Sequence, residues 1–246
     1  HDTHFLYSMA CIRKNIHVLC EKPLTLNASE SMILINAAIK KKVFLMEAFM
    51  YRCHPQTFKV LELVEKYFKG KRVKIKSSFG FTTDVSKEHR LRNPNLAGGA
   101  ILDVGCYPLS MARLISGKLN RMDFADPTDI SIEGELDETG VDAKSTAILD
   151  FTDEISAEIK TAIHEEFENN LIIESDDLCL EVSDPWHCGQ FNEGKSVIKF
   201  TNEGTEEKIE INDEVGLFTR EIDEAANCIE QGRIESPKMT HKDSLG

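Results

Sequence analysis

The residues HVLCEKPL at positions 17–24 determine more of this fold than any other part of the chain. Their apolar start, 18–20, indicates the end of a buried strand. Glu21, Lys22 and Pro23 follow directly, at the carboxyl end of a strand, where open α/β sheets bind ligands. A lysine there can hydrogen-bond a substrate hydroxyl. The proline restricts this lysine and can adopt the cis form. A surface turn with a solvated lysine is the structural alternative.

The segments around this strand alternate between helical and strand patterns. The sequence predicts helices over 5–15, 28–41 and 55–68, and strands over 17–20 and 43–46. Asn27 is a suitable N-cap for the second helix. This βαβ order is typical of the tail of a doubly wound parallel sheet. We therefore assign residues 1–50 to the C-terminal part of an α/β domain.

Beyond Val73 the pattern changes to successive strands separated by short polar turns. Strands without intervening helices predict a mostly antiparallel sheet. Helices over 98–117 and from about 218 to 231 are expected to flank it. Residues 51–246 therefore form an α+β domain with an open sheet. The predicted strands are 73–81, 129–136, 143–151, 155–163, 170–174, 178–183, 196–201 and 207–211.

A second informative stretch is GGAILDVGCYPL at positions 98–109. Two glycines precede an apolar pattern with helical spacing. Asp103 and Tyr107 are four residues apart and share one helix face. Pro108 should kink the helix or restart it. A core helix with a capping aspartate and a hydrogen-bonded tyrosine is the structural alternative.

Composition excludes several function classes. The chain has 246 residues and a net charge of −13, which argues against binding to nucleic acids or anionic membranes. It contains neither an apolar run of transmembrane length nor a visible signal peptide. Seven cysteines without CxxC spacing indicate reduced, buried thiols. Eight dispersed histidines, without HxH or HExxH pairs, predict no metal site.

The stretch GQFNEGKS at 189–196 fits the pattern of a phosphate-binding P-loop. A P-loop requires a helix that begins at the lysine, so that the helix N-terminus meets the phosphates. Residues 196–201 alternate like a strand instead. A hairpin turn at 192–194 is therefore expected, and an NTPase is disfavoured.

Stretches 17–24 and 98–109 together resemble the Gfo/Idh/MocA family, named after glucose–fructose oxidoreductase, inositol dehydrogenase and a rhizopine-catabolism protein. The resemblance covers essentially the whole chain and includes FLMEAFMYR at 44–52 with His54 and Pro55. Within the family, LCEKP at 19–23 and ETGVD at 138–142 most resemble the dimeric dihydrodiol dehydrogenase branch, which also oxidises D-xylose. The inositol branch usually has a histidine in place of Tyr107.

One departure from the family concerns the glycine-rich phosphate loop, because no GxGxxG occurs in this sequence. The start, HDTH at 1–4, resembles the tail of the nicotinamide-side segment TPxxxH. Residues 239–246 resemble the start of the last helix of the family. We therefore expect a fragment that lacks the N-terminal βαβ units of a Rossmann domain, and with them the residues that choose between NAD and NADP.

The resemblance implies an oxidoreductase that moves a hydride between a sugar or cyclic diol hydroxyl and NADP or NAD. It favours D-xylose and trans-dihydrodiols with NADP, a cytoplasmic enzyme, and a homodimer formed through the second-domain sheet. An inositol or glucose dehydrogenase remains an alternative. A non-catalytic dinucleotide-binding sensor is a further alternative, although sensors on this scaffold usually lose the lysine or the tyrosine, and this chain has both.

The expected chemistry assigns roles to three residues. Free tyrosine and lysine titrate near pH 10, so neither is a good base at neutral pH. If the two lie together in a half-dry cleft, the lysine cation favours tyrosinate. Tyr107 would then accept the hydroxyl proton, while Lys22 holds the hydroxyl and lowers the pKa of Tyr107. Asp103 would orient Lys22 or the sugar. The reverse assignment, with Lys22 as the base, stays open.

Further site residues are expected around these three. Each of the substrate candidates also has a structural alternative: an ion pair for the arginines, a capped turn for the histidine, a core position for the tryptophan. The predicted cofactor contacts are Glu21, Lys22, Pro23 and His4, and the predicted substrate contacts are Arg52, His54, Arg92 and Trp186.

Overall fold

The computed structural model describes residues 1–245, which form five α-helices and ten β-strands. Gly246, the last residue of the second predicted domain, lies outside the described residues. Helix α3 continues as a π-helical turn, Val64–Phe68, and the two together cover the predicted helix 55–68. The α-helices are α1 (His4–Arg13), α2 (Ala28–Lys41), α3 (Pro55–Leu63), α4 (Cys106–Leu119) and α5 (Leu217–Glu230).

The N-terminal part of the chain is built on two parallel strands. Strand β1 (Val18–Glu21) pairs with β2 (Leu45–Ala48), and α2 connects them. Asn27 caps α2 as predicted, because its side chain accepts a hydrogen bond of 3.0 Å from the Glu30 N–H. Both strands deliver their carboxyl ends to one edge of the sheet, so the residues after Glu21 and Ala48 lie near each other.

The second part is an eight-stranded sheet with the order β10-β9-β8-β7-β3-β6-β5-β4. β3 and β6 run parallel and the other neighbouring pairs are antiparallel, so the prediction of a mostly antiparallel sheet is confirmed. Each predicted strand is present within two residues of its expected ends. The strands are β3 (Val73–Gly80), β4 (Asp129–Leu136), β5 (Asp142–Thr152), β6 (Ile155–Ala162), β7 (Leu171–Glu174), β8 (Leu178–Val182), β9 (Lys195–Asn202) and β10 (Thr205–Asn212).

The two faces of this sheet differ in chemistry. On the inner face, buried residues such as Leu149 and Ala157 form a core with α3 and α4. The outer face carries cross-strand ion pairs, among them Lys76–Glu174 at 2.6 Å. It also exposes Ile148 at 41%. The alternation along each strand thus separates an apolar side from a charged one.

The edge strand β4 is exposed along all of its eight residues. They include Ile130, Ile132 and Leu136, which are 57%, 60% and 72% exposed. An edge strand with apolar side chains is a ready site for association with another chain.

The P-loop-like stretch forms no phosphate loop. Lys195 begins strand β9, and β9 pairs antiparallel with β8. Gly189 and Gly194 have positive φ angles within the connecting turn, and the Gly194 N–H donates to the Gly189 carbonyl. The expected strand is confirmed, so the helix N-terminus that a P-loop needs is replaced by a strand.

Two further sequence expectations concern cysteines and membrane helices. All seven cysteines are free, and four of them are buried. No helix within residues 1–245 has the length and apolar character needed to cross a membrane.

The start of α4 explains the second glycine of the GG pair. A π-helical turn, Ile101–Gly105, leads directly into α4, and Pro108 is the third residue after the change from π-helical to α-helical geometry. The Ile101 N–H donates to Asp142 Oδ2 over 2.6 Å, which caps this helix from the neighbouring strand β5. Gly99 has φ +122°, and a Cβ there would collide with the Asp142 carboxylate.

We expect Gly99→Ala to lower the free energy of unfolding by about 2–3 kcal/mol, because it adds positive-φ strain and displaces the Asp142 cap. Gly140→Ala is the matched control, since Gly140 has φ +89° but open space around an added Cβ. It should cost only about 1 kcal/mol. Urea unfolding followed by circular dichroism measures both, and equal losses would contradict the capping role.

Candidate active site

Lys22, Asp103 and Tyr107 come together although they are far apart in sequence. Lys22 follows β1, Asp103 lies in the π-helical turn, and Tyr107 is the second residue of α4. The Lys22 Nζ lies 3.5 Å from Asp103 Oδ1 and donates to the Asp103 backbone carbonyl. It also lies over the Tyr107 ring, 5.0 Å from its centroid. The structure thus groups the three predicted catalytic residues.

The local backbone explains how Lys22 reaches this position. Strand β1 ends at Glu21, and the Lys22–Pro23 peptide bond is cis, the form that the sequence allowed. Pro23 is buried, and the chain bends directly after strand β1. Lys22 therefore leaves the carboxyl edge of the sheet toward the helix that carries Asp103 and Tyr107.

Tyr107 is enclosed by aromatic side chains. The ring centroids of Phe49 and Phe79 lie 5.4 and 5.1 Å from that of Tyr107 in T-shaped arrangements. The ring centroids of Tyr51 and Trp186 lie 5.8 and 5.9 Å from it. Its hydroxyl donates to the Met50 sulfur at 3.4 Å. Only 5% of the residue is exposed.

This enclosure sets the proton affinity of the tyrosine. Burial raises the pKa of Tyr107 above its ordinary value, and the neighbouring Cys106 and Glu21 add to the rise. Sequence reasoning expected Lys22 to lower this pKa, but desolvation outweighs the cation. The hydroxyl of Tyr107 is therefore a proton donor at neutral pH in this structure.

The carboxylate of Asp103 is shared by three cationic or imidazole groups. Besides Lys22, it contacts Arg90 Nη1 at 2.9 Å and His1 Nε2 at 3.6 Å. Its side chain is only 7% exposed, whereas that of Arg90 is 52% exposed. Sequence reasoning missed Arg90 and His1, because both lie outside regular elements, where no periodicity indicates which side chain points inward.

The predicted cofactor contacts lie at the same edge of the N-terminal sheet. His4 Nδ1 donates to the Pro23 carbonyl over 2.7 Å, which leaves its Nε2 for another partner. Glu21 is exposed. Together with the Lys22 ammonium, these groups offer both donors and acceptors. Such a set fits the carboxamide and ribose hydroxyls of a nicotinamide nucleotide.

Arg52 and His54 have structural partners away from Lys22. Arg52 is 3% exposed, forms an ion pair with Asp243, and donates to the Ser110 carbonyl at 3.3 Å. His54 Nδ1 accepts from the Gln56 N–H, which caps α3, and Nε2 lies 3.1 Å from Asp213. Burial lowers the pKa of His54. Their substrate contacts stay a prediction. In this structure Arg52 forms an ion pair and His54 caps a helix, as the structural alternatives described.

Arg92 and Trp186 are also occupied by neighbouring groups. Arg92 binds Asp137 through two N–H groups, at 2.6 and 3.1 Å, and Glu138 at 2.9 Å. Trp186 is fully buried, and its indole N–H donates to the Ser78 carbonyl at 2.8 Å. Trp186 still contributes to the site, because it forms one wall around Tyr107. Direct substrate contact by either residue stays a prediction.

A further buried acid lies behind the turn that carries Met50. Glu221 of α5 is 3% exposed, and α5 packs against the turn Met50–Cys53. Burial raises the pKa of Glu221 to about 8, and the Glu21 carboxylate adds to the rise. Within residues 1–245 its Oε2 has no hydrogen-bond partner. The folded chain thus holds a carboxylic acid that is largely protonated at neutral pH.

The raised pKa of Glu221 predicts a pH-dependent stability. Between about pH 4.5 and 8, Glu221 stays protonated in the folded state but loses its proton in the unfolded state. The stabilisation of the folded state that results from holding this proton is complete below pH 4.5 and is lost as pH rises through 8. Glu221→Gln cannot ionise. It should raise the free energy of unfolding by about 2–4 kcal/mol at pH 9 and change it little at pH 5.

Chemical denaturation at both pH values checks this expectation. Glu207→Gln is the matched control, because Glu207 is exposed on β10. A Glu221→Gln variant whose gain is the same at pH 5 and pH 9 would contradict the buried acid.

Comparison with known proteins identifies related sequences. Residues 1–49 match the Gfo/Idh/MocA oxidoreductase family described as an NAD-binding Rossmann fold. Residues 58–182 match the Gfo/Idh/MocA C-terminal domain. The two matches divide the chain near the point where the parallel strands end and the large sheet begins.

Several curated relatives match nearly the whole chain. The D-xylose 1-dehydrogenase (NADP(+)) 2 of Haloferax volcanii is 30% identical over 244 residues, which are 98% of this chain and 70% of the relative. The trans-1,2-dihydrobenzene-1,2-diol dehydrogenase of Xenopus tropicalis is 29% identical over 245 residues, 99% of this chain and 72% of the relative.

Solved structures with the same fold include an aldose-aldose oxidoreductase from Caulobacter crescentus complexed with glycerol. It superposes with a TM-score of 0.84 at 22% identity, and the match covers 99% of this chain and 70% of the oxidoreductase chain. A 3-ketoreductase from Actinomadura kijaniata in complex with NADP and TDP-benzene gives a TM-score of 0.82 at 22% identity, over 99% and 71% of the two chains. These similarities establish the fold.

Proposed function

The chain belongs to the Gfo/Idh/MocA oxidoreductase family, and we propose that it is an NADP-dependent dehydrogenase that oxidises a hydroxyl of D-xylose or of a trans-dihydrodiol. The observation that carries this proposal is the convergence of Lys22, Asp103 and Tyr107 at the carboxyl edge of two parallel strands. The names of two relatives, a xylose dehydrogenase and a dihydrodiol dehydrogenase, support the substrate class.

The substrate oxygen is held between two donors. Lys22 Nζ is partly accessible and lies above the Tyr107 ring, so a hydroxyl that enters the cleft meets the ammonium first. The Tyr107 hydroxyl provides a second hydrogen bond to the same oxygen once it turns from the Met50 sulfur. A bound nicotinamide supplies the hydride acceptor or donor. Two donors on one oxygen fix which C–H bond faces the cofactor.

Of Tyr107 and Lys22, we assign Lys22 as the residue that exchanges the proton of the substrate hydroxyl. Burial keeps the Tyr107 hydroxyl protonated, because the pKa of Tyr107 is raised. Tyr107 therefore orients the substrate oxygen as a neutral donor. Lys22 donates a proton from Nζ to the carbonyl oxygen during reduction, and its neutral amine accepts the hydroxyl proton during oxidation. Asp103 holds Nζ in place through its carboxylate and its backbone carbonyl.

We assign cofactor binding to the residues at the carboxyl edge of the two parallel strands β1 and β2. His4 is fixed by the Pro23 carbonyl, and its Nε2 would be available to a ribose hydroxyl of the bound cofactor. Pro23 and Glu21 shape the surface beside Lys22. These contacts, and a domain boundary near residue 50, are part of the proposal.

Substituting the two central residues tests the proton assignment. Lys22→Met should lower turnover by about 10²–10⁴-fold and remove one ionisation from the pH–rate profile of oxidation. Tyr107→Phe should lower turnover about 10–10²-fold and keep that ionisation, because it removes only an orienting hydrogen bond. NADPH formation at 340 nm measures both. Loss of the ionisation in Tyr107→Phe alone would reverse the assignment.

The substrate class is tested with the intact protein, NADP or NAD, and four alcohols: D-xylose, trans-dihydrobenzenediol, D-glucose and myo-inositol. Turnover of the first two is expected. Turnover of only glucose or inositol would place the protein in another branch of the family. Dinucleotide binding without turnover of any of the four would support the sensor alternative.

We also propose a homodimer that forms through the outer face of the large sheet. This face exposes Ile148 beside cross-strand Lys–Glu pairs, and the neighbouring edge strand β4 is exposed throughout. An apolar side chain among satisfied ion pairs suits an interface with a polar rim. The seven free cysteines suit the reducing cytoplasm, which is the proposed location.

Sedimentation velocity tests the dimer. Ile148→Glu should shift the protein toward a monomer, because it places a charge within the proposed interface. Ile39→Glu is the matched control, since Ile39 is similarly exposed, at 47%, on α2. A monomeric wild-type protein, or equal effects of the two substitutions, would contradict the proposed interface.

A further inference from the structure

We propose that Arg90 is a positioning residue of this site, which shares the charge of Asp103 and so tunes the proton exchange of Lys22. The inference rests on the proposed role of Lys22. Arg90 and Lys22 contact the same oxygen, Asp103 Oδ1, at 2.9 and 3.5 Å. Arg90 therefore acts on Lys22 through the carboxylate between them.

The loop that carries Arg90 is fixed at its other side by Arg92. Arg92 is two residues further on and binds Asp137 through two N–H groups, and its Nη1 also donates to the Val85 carbonyl at 2.9 Å. The side chain of Asp137 is 3% exposed and also contacts His164 at 3.3 Å. A bidentate pair with a buried carboxylate has little rotational freedom. Arg92 thus anchors the loop, and Arg90 points into the site.

The first glycine of the GG pair holds this loop close to α4. A Cβ on Gly98 would lie 2.7 Å from the Leu91 carbonyl oxygen and 2.8 Å from that of Arg90, which is closer than real side chains approach. The Gly99 N–H also donates to the Leu91 carbonyl over 2.9 Å. The backbone of Arg90 and Leu91 therefore lies directly against the start of the helix that carries Asp103.

The contact has an electrostatic consequence. Asp103 is almost buried and lies 3.5 Å from the Lys22 Nζ, so little water separates the two charges. Arg90 offsets part of the charge of Asp103. Without Arg90, the field of Asp103 favours the ammonium form of Lys22, and the neutral amine needed for oxidation becomes rarer. The other titratable or charged groups around Lys22 and Tyr107 are His1, Glu21, Glu47, Tyr51 and Cys106.

Arg90→Met tests this role through the pH dependence of the reaction. The alkaline rise of kcat/KM for oxidation should move upward by about 0.5–1 pH unit, because a half-exposed charge acts through a partly screened medium. The rate then falls about three- to tenfold below the midpoint and little above it. Arg90→Lys should restore most of the wild-type profile. Raising NaCl to 1 M should shrink the shift.

A second readout needs no cofactor. Trace acetylation with acetic anhydride at graded pH, read by mass spectrometry of the Lys22 peptide, reports how much neutral amine is present. The pH at which Lys22 acetylation is half-maximal should move upward by the same amount in Arg90→Met. Arg90→Gln is the second variant, which keeps a hydrogen-bond donor near Asp103 but removes the charge, and it should show the same shift. Arg72→Met is the matched control, because Arg72 forms an exposed pair with Glu154 before β3.

The outcomes separate this inference from the proposed function. If Arg90→Met and Arg90→Gln lower the rate equally at every pH, or raise KM without moving the acetylation midpoint, Arg90 serves the loop or the substrate and the inference is wrong. If Lys22→Met keeps near-normal turnover, the proposed role of Lys22 fails first. An upward shift in both readouts, absent in Arg72→Met, supports the inference.

Discussion

The Asp103 carboxylate is buried and contacts groups from three separate parts of the chain: His1 before α1, Lys22 after β1, and Arg90 in the loop after β3. A buried carboxylate without partners would be costly, since its water shell is lost. These partners replace that water. The same contacts join the N-terminal parallel strands to the helix that packs on the large sheet. One charge therefore holds the site together and adds to the apolar and hydrogen-bond contacts that join the two parts.

A second constraint is the exclusion of water around Tyr107. Four aromatic side chains enclose its ring, and they come from the segment after β2, from strand β3 and from the loop between β8 and β9. Burial of this kind disfavours the charged form of an acid. Tyr107 consequently stays protonated at neutral pH, and this is why we propose Lys22 as the residue that exchanges a proton. The neighbouring groups Lys22 and Tyr107 thus have different environments: Lys22 lies beside the charge of Asp103, and Tyr107 is enclosed by aromatic rings.

Much of this organisation was determined by the sequence alone. Hydrophobic periodicity located every strand of the large sheet within two residues, because alternating burial on a two-faced sheet leaves a direct pattern. Asn27 identified the start of α2, since an N-cap requires a particular side chain. The EKP turn and the Asp103–Tyr107 spacing were sufficient to nominate three residues that the structure groups together. Local geometry is encoded by neighbouring residues.

Only the tertiary structure decided which residues of irregular segments face the site. Sequence reasoning named Arg92 as a substrate contact, which stays a prediction. In the structure Arg92 binds Asp137, while Arg90, two residues earlier, contacts Asp103. The direction of a side chain in a loop depends on contacts with distant segments, and no repeat in the sequence records them. The pKa of Tyr107 likewise depends on aromatic neighbours up to 79 residues away in sequence, Trp186 being the most distant. Desolvation is a property of the packed site, so only the folded chain reveals it.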